Sequence, residues 1–107
     1  DGRFHVLDYK TNWLGARLRD YRGSSLDAAM AEHHYPLQAL LYTVALHRYL
    51  RHRMDGYTAE RQLGESWYLF VRALGLAPGH GVWRHYWPVA LIEALDDAFA
   101  GTQEAAA

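Results

Sequence analysis

An acid and an amine stand two residues apart near the start of the sequence, at Asp8 and Lys10. Side chains two residues apart on a strand leave the same face, so the carboxylate and the ammonium would share one spot, with the Tyr9 carbonyl between them. Carboxylate and carbonyl oxygens are the hard ligands that Mg²⁺ prefers. Lys10 is the only lysine among eleven basic residues, and its compact charge can orient a water molecule or a phosphate oxygen. The tripeptide indicates either a metal-assisted site or an incidental ion pair at a strand end.

An amide and a phenol form a second candidate pair, at Gln38 and Tyr42. Residues four apart on a helix project from the same face, so the two side chains could together hold a nucleotide or a catalytic water molecule. Buried glutamine and tyrosine more often satisfy a local hydrogen bond. The spacing alone leaves both interpretations open.

Three other sets of side chains have ligand-binding chemistry but a simpler structural explanation. None of the four histidines between positions 33 and 52 lies four residues from another, and no HExxH zinc motif occurs. The four tryptophans, Trp13 among them, could stack on bases, but Trp67 is expected in the core and the others in loop or strand packing. Arg17, Arg19 and Arg22 could contact phosphates, although a solvated loop explains them more simply.

An alternation of strands and helices must position these residues. Residues 3–10 are rich in aromatic and branched side chains and predict a strand, and the apolar run over 67–71 predicts a second strand covered on both faces. A helix between two such strands is typical of a right-handed crossover in an α/β sheet. The remaining predicted segments are an exposed basic loop over 11–23, helices over 26–33, 36–54 and 89–100, a turn-rich connection over 75–81 and a possible strand over 82–87.

Two of the predicted helices carry boundary signals. Ser24, followed three residues later by Asp27, has the form of a capping box. Pro36 suits the first turn of the longest helix, and Gly56 suits its end. Apolar residues cover more than one stripe of that helix, so its first three turns are expected to be buried on most sides. The tail over residues 102–107 is expected to fray.

Length and composition allow one modest domain. The chain has 107 residues, of which 50% are hydrophobic, enough for one core and too many for a disordered chain. The longest uncharged run, residues 35–47, is too short to cross a bilayer, and no signal-peptide pattern opens the chain, so a cytoplasmic location is expected. The formal net charge of -1 is not that of a self-sufficient nucleic-acid binder. Either the chain binds no nucleic acid, or other protein supplies much of the attraction.

Cysteine is absent from the sequence. This excludes disulfides, thiol nucleophiles and cysteine-ligated zinc or iron–sulfur clusters. Any metal ion bound by the chain must use oxygen or imidazole ligands.

Several stretches of the sequence, taken in order, resemble a known enzyme family. They are VLDYKTNWLG from Val6, YPLQ from Tyr35 with Leu41-Tyr42, ALHRYL from Ala45, Tyr68-Leu69-Phe70 with Arg72, and DAFAG from Asp97. Together they resemble the C-terminal nuclease domain of the RecB family, the beta subunit of exodeoxyribonuclease V, the RecBCD helicase–nuclease. The resemblance spans nearly the whole chain.

The resemblance implies a fold and a set of site residues. The fold would be α/β, the C-terminal part of a restriction-endonuclease-like (PD-(D/E)XK) fold with a central mixed sheet flanked by helices. Asp8 and the Tyr9 carbonyl would bind Mg²⁺, and Lys10 would be the motif lysine. Gln38 and Tyr42 would match the Q-x-x-x-Y signature and act in catalysis and DNA binding.

The resemblance also implies a reaction and partners. The reaction would be metal-dependent exonucleolytic hydrolysis of DNA phosphodiesters, in double-strand break repair and in degradation of linear DNA. The partners would be DNA and RecC-like and RecD-like subunits, with ATP used only by a helicase part outside this chain. Relatives that carry an iron–sulfur cluster are excluded because the sequence has no cysteine.

The family's remaining metal ligands, a histidine and an aspartate, would precede Asp1. The dipeptide Asp1-Gly2 is favoured in tight hairpin turns, which also implies an upstream partner strand. We therefore expect residues 1–107 to be a single partial domain that is inactive when isolated. The alternative is a non-catalytic scaffold or partner-docking fragment with an incomplete metal site.

Overall fold

The structure, a computed structural model, describes the backbone of residues 2–106 and the side chains of residues 2–101. Asp1 of the expected hairpin turn lies outside the described residues. The structure confirms the two predicted strands that the crossover joins. It also confirms the three predicted helices and the short strand after the turn-rich segment. The elements are β1 (Phe4–Lys10), a short 3₁₀ helix (Leu18–Tyr21), α1 (Gly23–Glu32), α2 (Tyr35–Arg53), α3 (Ala59–Gln62), β2 (Leu63–Phe70), β3 (Val82–His85) and α4 (Val89–Ala106).

The described strands form a mixed sheet in the order β1-β2-β3. β1 and β2 run parallel, and β3 pairs antiparallel with β2. The α/β class with a mixed sheet flanked by helices is therefore confirmed. In the parallel register Asp8 lies beside Tyr68 and Lys10 lies beside Phe70. The crossover thus places the chemistry-bearing end of β1 against the most buried part of β2.

The sheet is buried on one face and half-exposed on the other. Tyr68 and Phe70 are fully buried under α1 and α2, together with Met30 and Ala39. The alternate residues of β2, such as Trp67 and Leu69, are only half-buried. The prediction that this strand is covered on both faces is wrong. Every residue of the run is apolar, so the sequence does not indicate which face of the strand packs against other elements.

The long helix α2 is also less buried than predicted. It buries one stripe, which includes Ala39, Thr43 and His47. Leu37 and Tyr49 are 56% and 58% exposed. The expectation that the first three turns are buried on most sides is wrong, since the described residues cover only the side of α2 that faces the sheet and α4.

The segment predicted as an exposed basic loop is partly structured. The 3₁₀ helix lies within it, and Tyr21 at its end is buried, with its hydroxyl accepting a hydrogen bond from the backbone N–H of Leu14. The helix α1 begins at Gly23, so Ser24 falls inside its first turn rather than before it. The predicted capping box of Ser24 and Asp27 is therefore wrong, and no side-chain hydrogen bond caps that end.

The last helix extends beyond its predicted end. The backbone is helical to Ala106, over a stretch for which a frayed tail was predicted. Glutamine, glutamate and alanine favour the helix, and one glycine at position 101 costs only about 1 kcal/mol relative to alanine. No helix among the described residues is both long and apolar enough to cross a membrane.

A buried carboxylate joins α4 to α2. Asp96 is 2% exposed and accepts hydrogen bonds from Arg48 Nε at 2.9 Å and Arg51 Nε at 3.1 Å. His47 lies on the same side, with Nε2 3.6 Å from the carboxylate and Nδ1 2.7 Å from the Tyr57 hydroxyl. Burial, reinforced by nearby carboxylates, raises the pKa of Tyr57 to about 12, so its hydroxyl remains protonated and able to donate to His47. This network fixes the end of α2 farthest from Lys10.

The Asp96 network predicts an effect of pH on stability. Burial alone would raise the pKa of Asp96, but the hydrogen bond from Arg48 and the charges of Arg51, Arg48 and His47 together hold it below its ordinary value of 3.8. A lowered pKa contributes stability that is complete above that ordinary value and is lost as the pH falls below it.

We therefore expect Asp96→Asn to lower the free energy of unfolding by about 1–3 kcal/mol at pH 7, as measured by urea denaturation. The difference from the wild-type chain should shrink as the pH falls below 3.8. Asp97→Asn, at the neighbouring exposed position, is the matched control and should have little effect. Equal effects of the two substitutions at pH 7 would contradict this role for Asp96.

Candidate active site

The Lys10 ammonium links the end of β1 to α2. Its Nζ lies 2.9 Å from Asp8 Oδ2 and donates to Gln38 Oε1 at 3.1 Å. The Lys10 and Asp8 side chains are 15% and 29% exposed, so most of the charge pair is withdrawn from water. The strand alternation predicted the shared face of Asp8 and Lys10, and the structure confirms it. Gln38 is brought to the same point by the first turn of α2.

Two tyrosine rings flank the ammonium. Nζ lies 4.1 Å from the ring centroid of Tyr35 and 5.2 Å from that of Tyr68. The negative face of an aromatic ring attracts a cation, more strongly where water is excluded. The rings therefore offset part of the cost of burying the charge of Lys10.

Gln38 is held in one orientation by two donors. The Tyr68 hydroxyl donates to Gln38 Oε1 at 2.6 Å, and Lys10 donates to the same oxygen. Burial raises the pKa of Tyr68 well above its ordinary value of 10.0, and the nearby Asp8 adds to the effect. Tyr68 therefore stays protonated and acts as a donor. Because the amide oxygen is engaged by two donors, the amide N–H₂ group of Gln38 is left as a donor toward a ligand.

The ring of Tyr35 is itself fixed by the segment after β1. Its hydroxyl lies 3.0 Å from Asn12 Nδ2 and 3.3 Å from Asn12 Oδ1. The His33 ring stacks on this tyrosine, with centroids 5.1 Å apart. These contacts tie the start of α2 to the residues that follow Lys10 in the chain.

The Tyr9 carbonyl points away from β2. The carbonyl of the next residue, Lys10, accepts a hydrogen bond from Val71 N at 3.0 Å and therefore points toward β2. Consecutive carbonyls of a strand point in opposite directions within the sheet. The Tyr9 oxygen is thus directed to the edge of β1 that no other described strand covers. Its side chain is exposed, so only its backbone belongs to the site.

Tyr42 lies one turn beyond Gln38 on α2 and is 48% exposed. No hydrogen bond joins it to Lys10, Asp8 or Gln38 among the described residues. It borders the site, and its proximity adds slightly to the raised pKa of Tyr68, after burial and Asp8. Sequence reasoning did not identify Tyr35 and Tyr68 as site residues, although the position of Tyr68 on a strand parallel to β1 could have indicated it.

The site presents two oxygens of the type that Mg²⁺ prefers, the Asp8 carboxylate and the Tyr9 carbonyl. Mg²⁺ is usually held by one or two carboxylates, with several positions filled by water. The two oxygens therefore fit part of a Mg²⁺ site. No cluster of three or more histidine, aspartate or glutamate side chains suited to a metal ion occurs in the part of the chain that the structure describes.

No family model matches the sequence. Individual proteins are nevertheless similar to it. The chain is 44% identical over 102 residues to the RecBCD enzyme subunit RecB of Escherichia coli, a match that covers 94% of the chain. It is 48% identical over 102 residues to the RecB subunit of Mycobacterium tuberculosis, over 89% of the chain, and 40% identical over 99 residues to that of Haemophilus influenzae, over 92% of the chain. The chain spans only 8–9% of the length of these relatives.

The hydrogen bond between Tyr68 and Gln38 generates a prediction. Tyr68→Phe removes the hydroxyl but leaves Lys10 to satisfy Gln38, so we expect a loss of about 0.5–1.5 kcal/mol in the free energy of unfolding. Because the pKa of Tyr68 is raised, this stability should be complete below pH 10.0 and lost as the pH rises above it. Urea denaturation between pH 7 and pH 11 measures both effects.

The matched control is Tyr42→Phe, which removes the same hydroxyl from an exposed ring on the neighbouring turn. It should change the stability by less than about 0.5 kcal/mol. Stability losses of the same size in both variants at pH 7 would contradict a specific role for the Tyr68 hydroxyl.

Proposed function

The chain belongs to the RecB family over the segment that it shares with these relatives, and from that premise we propose that it is the DNA-cleaving part of a longer RecB-type subunit. The proposed reaction is metal-dependent exonucleolytic hydrolysis of DNA phosphodiesters, in break repair and in degradation of linear DNA. The single observation that carries the proposal is the convergence of Asp8, Lys10 and Gln38 at the end of β1. The proposed fold is that of the PD-(D/E)XK nucleases.

The Asp8 carboxylate and the Tyr9 carbonyl would hold Mg²⁺. When bound, the ion would polarise the scissile phosphate and lower the pKa of the attacking water. Asp8 also sets the position of the Lys10 ammonium, through the 2.9 Å contact between them. The carboxylate therefore serves two purposes, as a ligand and as an anchor for the lysine.

Lys10 has three N–H donors, and Asp8 and Gln38 engage two of them. The third can orient the attacking water or a phosphate oxygen and offset the negative charge that develops there. Gln38 fixes the ammonium, and its N–H₂ group can donate to the DNA backbone. Tyr42, exposed one turn farther along α2, would contact the strand.

The proposed partners are DNA and RecC-like and RecD-like subunits, since the relatives are named as subunits of the RecBCD enzyme. ATP would be used elsewhere in the longer protein. With a net charge of -1, the chain requires other parts of such an assembly to attract most of the DNA.

A non-catalytic docking role is the second candidate. It is favoured by the exposed side chains of Leu37, Leu41 and Tyr49 on the outer side of α2. This role does not require the pairing of Asp8 with Lys10, so substitutions at these residues discriminate between the two functions.

The first test is Asp8→Ala in the complete protein, meaning the longer RecB-type polypeptide with the subunits that copurify with it. We expect cleavage of DNA to be abolished, because the metal ligand and the anchor of Lys10 are both lost. ATP-driven unwinding should remain nearly unchanged. Asp55→Ala, at an exposed turn beyond α2, is the matched control and should cleave normally. Normal nuclease activity of the Asp8→Ala protein would rule out the proposed function.

The second test is Lys10→Arg, which keeps the charge but replaces a compact ammonium with a wider planar group. The Asp8 and Gln38 oxygens are set for an ammonium at 2.9 and 3.1 Å, so the guanidinium cannot place a single donor at the same point. We expect most of the cleavage rate to be lost at saturating Mg²⁺, while the Mg²⁺ concentration for half-maximal residual activity stays the same. A wild-type cleavage rate in the Lys10→Arg protein would show that Lys10 is only an ion-pair partner of Asp8.

A further inference from the structure

A cleft lies immediately beyond the candidate active site, on the segment that continues from β1. Its volume is about 330 Å³, and its walls include Trp13, Arg17, Leu18, Arg72 and Leu76. Trp13 is 66% exposed, and both arginines are exposed. Trp13 lies three positions after Lys10 in the chain, and that length of chain reaches at most about 11 Å. A DNA strand that contacts Lys10 would therefore reach the exposed indole within a few nucleotides.

The segment that carries Trp13 is held in place by the core. The buried Tyr21 hydroxyl accepts a hydrogen bond from Leu14 N at 3.0 Å, and the Tyr21 carbonyl accepts one from Gly81 N at 2.7 Å. The Asp20 side chain packs directly on Gly15, which has a φ of 153° and leaves no room for a Cβ. The wall of the cleft is thus built by specific contacts, even though its outer residues face solvent.

One of the two arginines is also fixed. Arg72 Nε donates to the Thr11 carbonyl at 2.7 Å, which leaves the other guanidinium donors available. Arg17 donates its backbone N–H to Asp20, while its side chain extends into solvent. An exposed indole that shares a cleft with two guanidinium groups has the chemistry of a single-strand binding platform, on which a base stacks and neighbouring phosphates are neutralised.

We propose that this cleft binds a single strand of DNA next to the active site, with a base stacked on Trp13 and phosphates contacted by Arg17 and Arg72. The inference deepens the proposed function, on which it rests, by naming a subsite that guides the strand to Lys10. The described lining residues include two arginines beside the exposed indole and no acidic side chain, which favours a polyanion with stacking bases over a protein partner.

The test measures binding without cleavage. Fluorescence anisotropy of a labelled oligothymidine is recorded with the complete protein in EDTA and without ATP, and circular dichroism checks that each variant keeps the wild-type spectrum. Trp13→Ala should weaken binding between about 5-fold and about 100-fold, and Trp13→Phe should keep most of the affinity, because stacking requires only an aromatic face. Trp13→Ala should weaken the binding of oligothymidine annealed to its complement less than it weakens the binding of the single strand.

The arginine is tested through salt dependence. Arg17→Ala should make the slope of log affinity against log salt shallower by about 0.7, and Arg17→Lys should restore it. The chain offers a control pair, Tyr49 and Arg53, in which an arginine lies over an exposed aromatic ring, 5.5 Å from its centroid. Tyr49→Ala and Arg53→Ala should leave the affinity unchanged.

A second measurement also uses the complete protein. An oligonucleotide containing 5-iodouracil is cross-linked by light, and the peptide that contains Trp13 should carry the label, whereas Trp13→Ala should lose it. The inference would be overturned if the Trp13→Ala protein bound the oligonucleotide with wild-type affinity and the cross-link formed on a different peptide. Release of a copurifying subunit with DNA binding unchanged would also overturn it, since that would make the cleft a protein-docking site. Binding through Trp13 in a protein that does not cleave DNA would refute the proposed function alone, because this binding is measured without metal.

Discussion

The Lys10 ammonium carries a positive charge that is mostly withdrawn from water, and the surrounding structure must compensate for it. A charge in such a place is tolerated only if it is paired and hydrogen-bonded. Asp8 supplies the opposite charge from the same strand, and Gln38 supplies the second oxygen from α2. The position of α2 on the sheet is therefore tied to the position of one nitrogen atom. The Tyr35 and Tyr68 rings complete its surroundings, one from α2 and one from β2.

The helix that carries Gln38 is fixed at both ends by polar contacts of different kinds. Near its start, Gln38 joins it to β1 and β2. Near its end, the cations of Arg48 and Arg51 converge on the buried Asp96 of α4. Between these points α2 buries only one stripe and leaves its outer side exposed. Such anchoring restricts sliding and rotation of α2, which would otherwise move Gln38 relative to the lysine that it holds.

The sequence predicted the features of this site that depend on local geometry. Asp8 and Lys10 share a face because alternation along a strand needs no knowledge of the remaining fold. The contact of Gln38 with Lys10 and the role of Tyr68 depend on how β1, α2 and β2 pack, over separations of about thirty residues along the chain. The burial of α2 was overestimated for a related reason, since an apolar side chain such as Leu37 does not specify whether a partner lies against it.

We expect the Tyr68 hydroxyl to act on cleavage only through Gln38, which in turn positions the Lys10 ammonium. The most direct test is a double-mutant cycle on the rate of single-stranded DNA cleavage by the complete protein, with Tyr68→Phe, Gln38→Met and both together. Residues that act through one another give strongly non-additive effects. We expect the cleavage rate of the double variant to be no lower than the rate of Gln38→Met alone. Rate losses that multiply, or a wild-type protein that does not cleave DNA, would contradict this expectation.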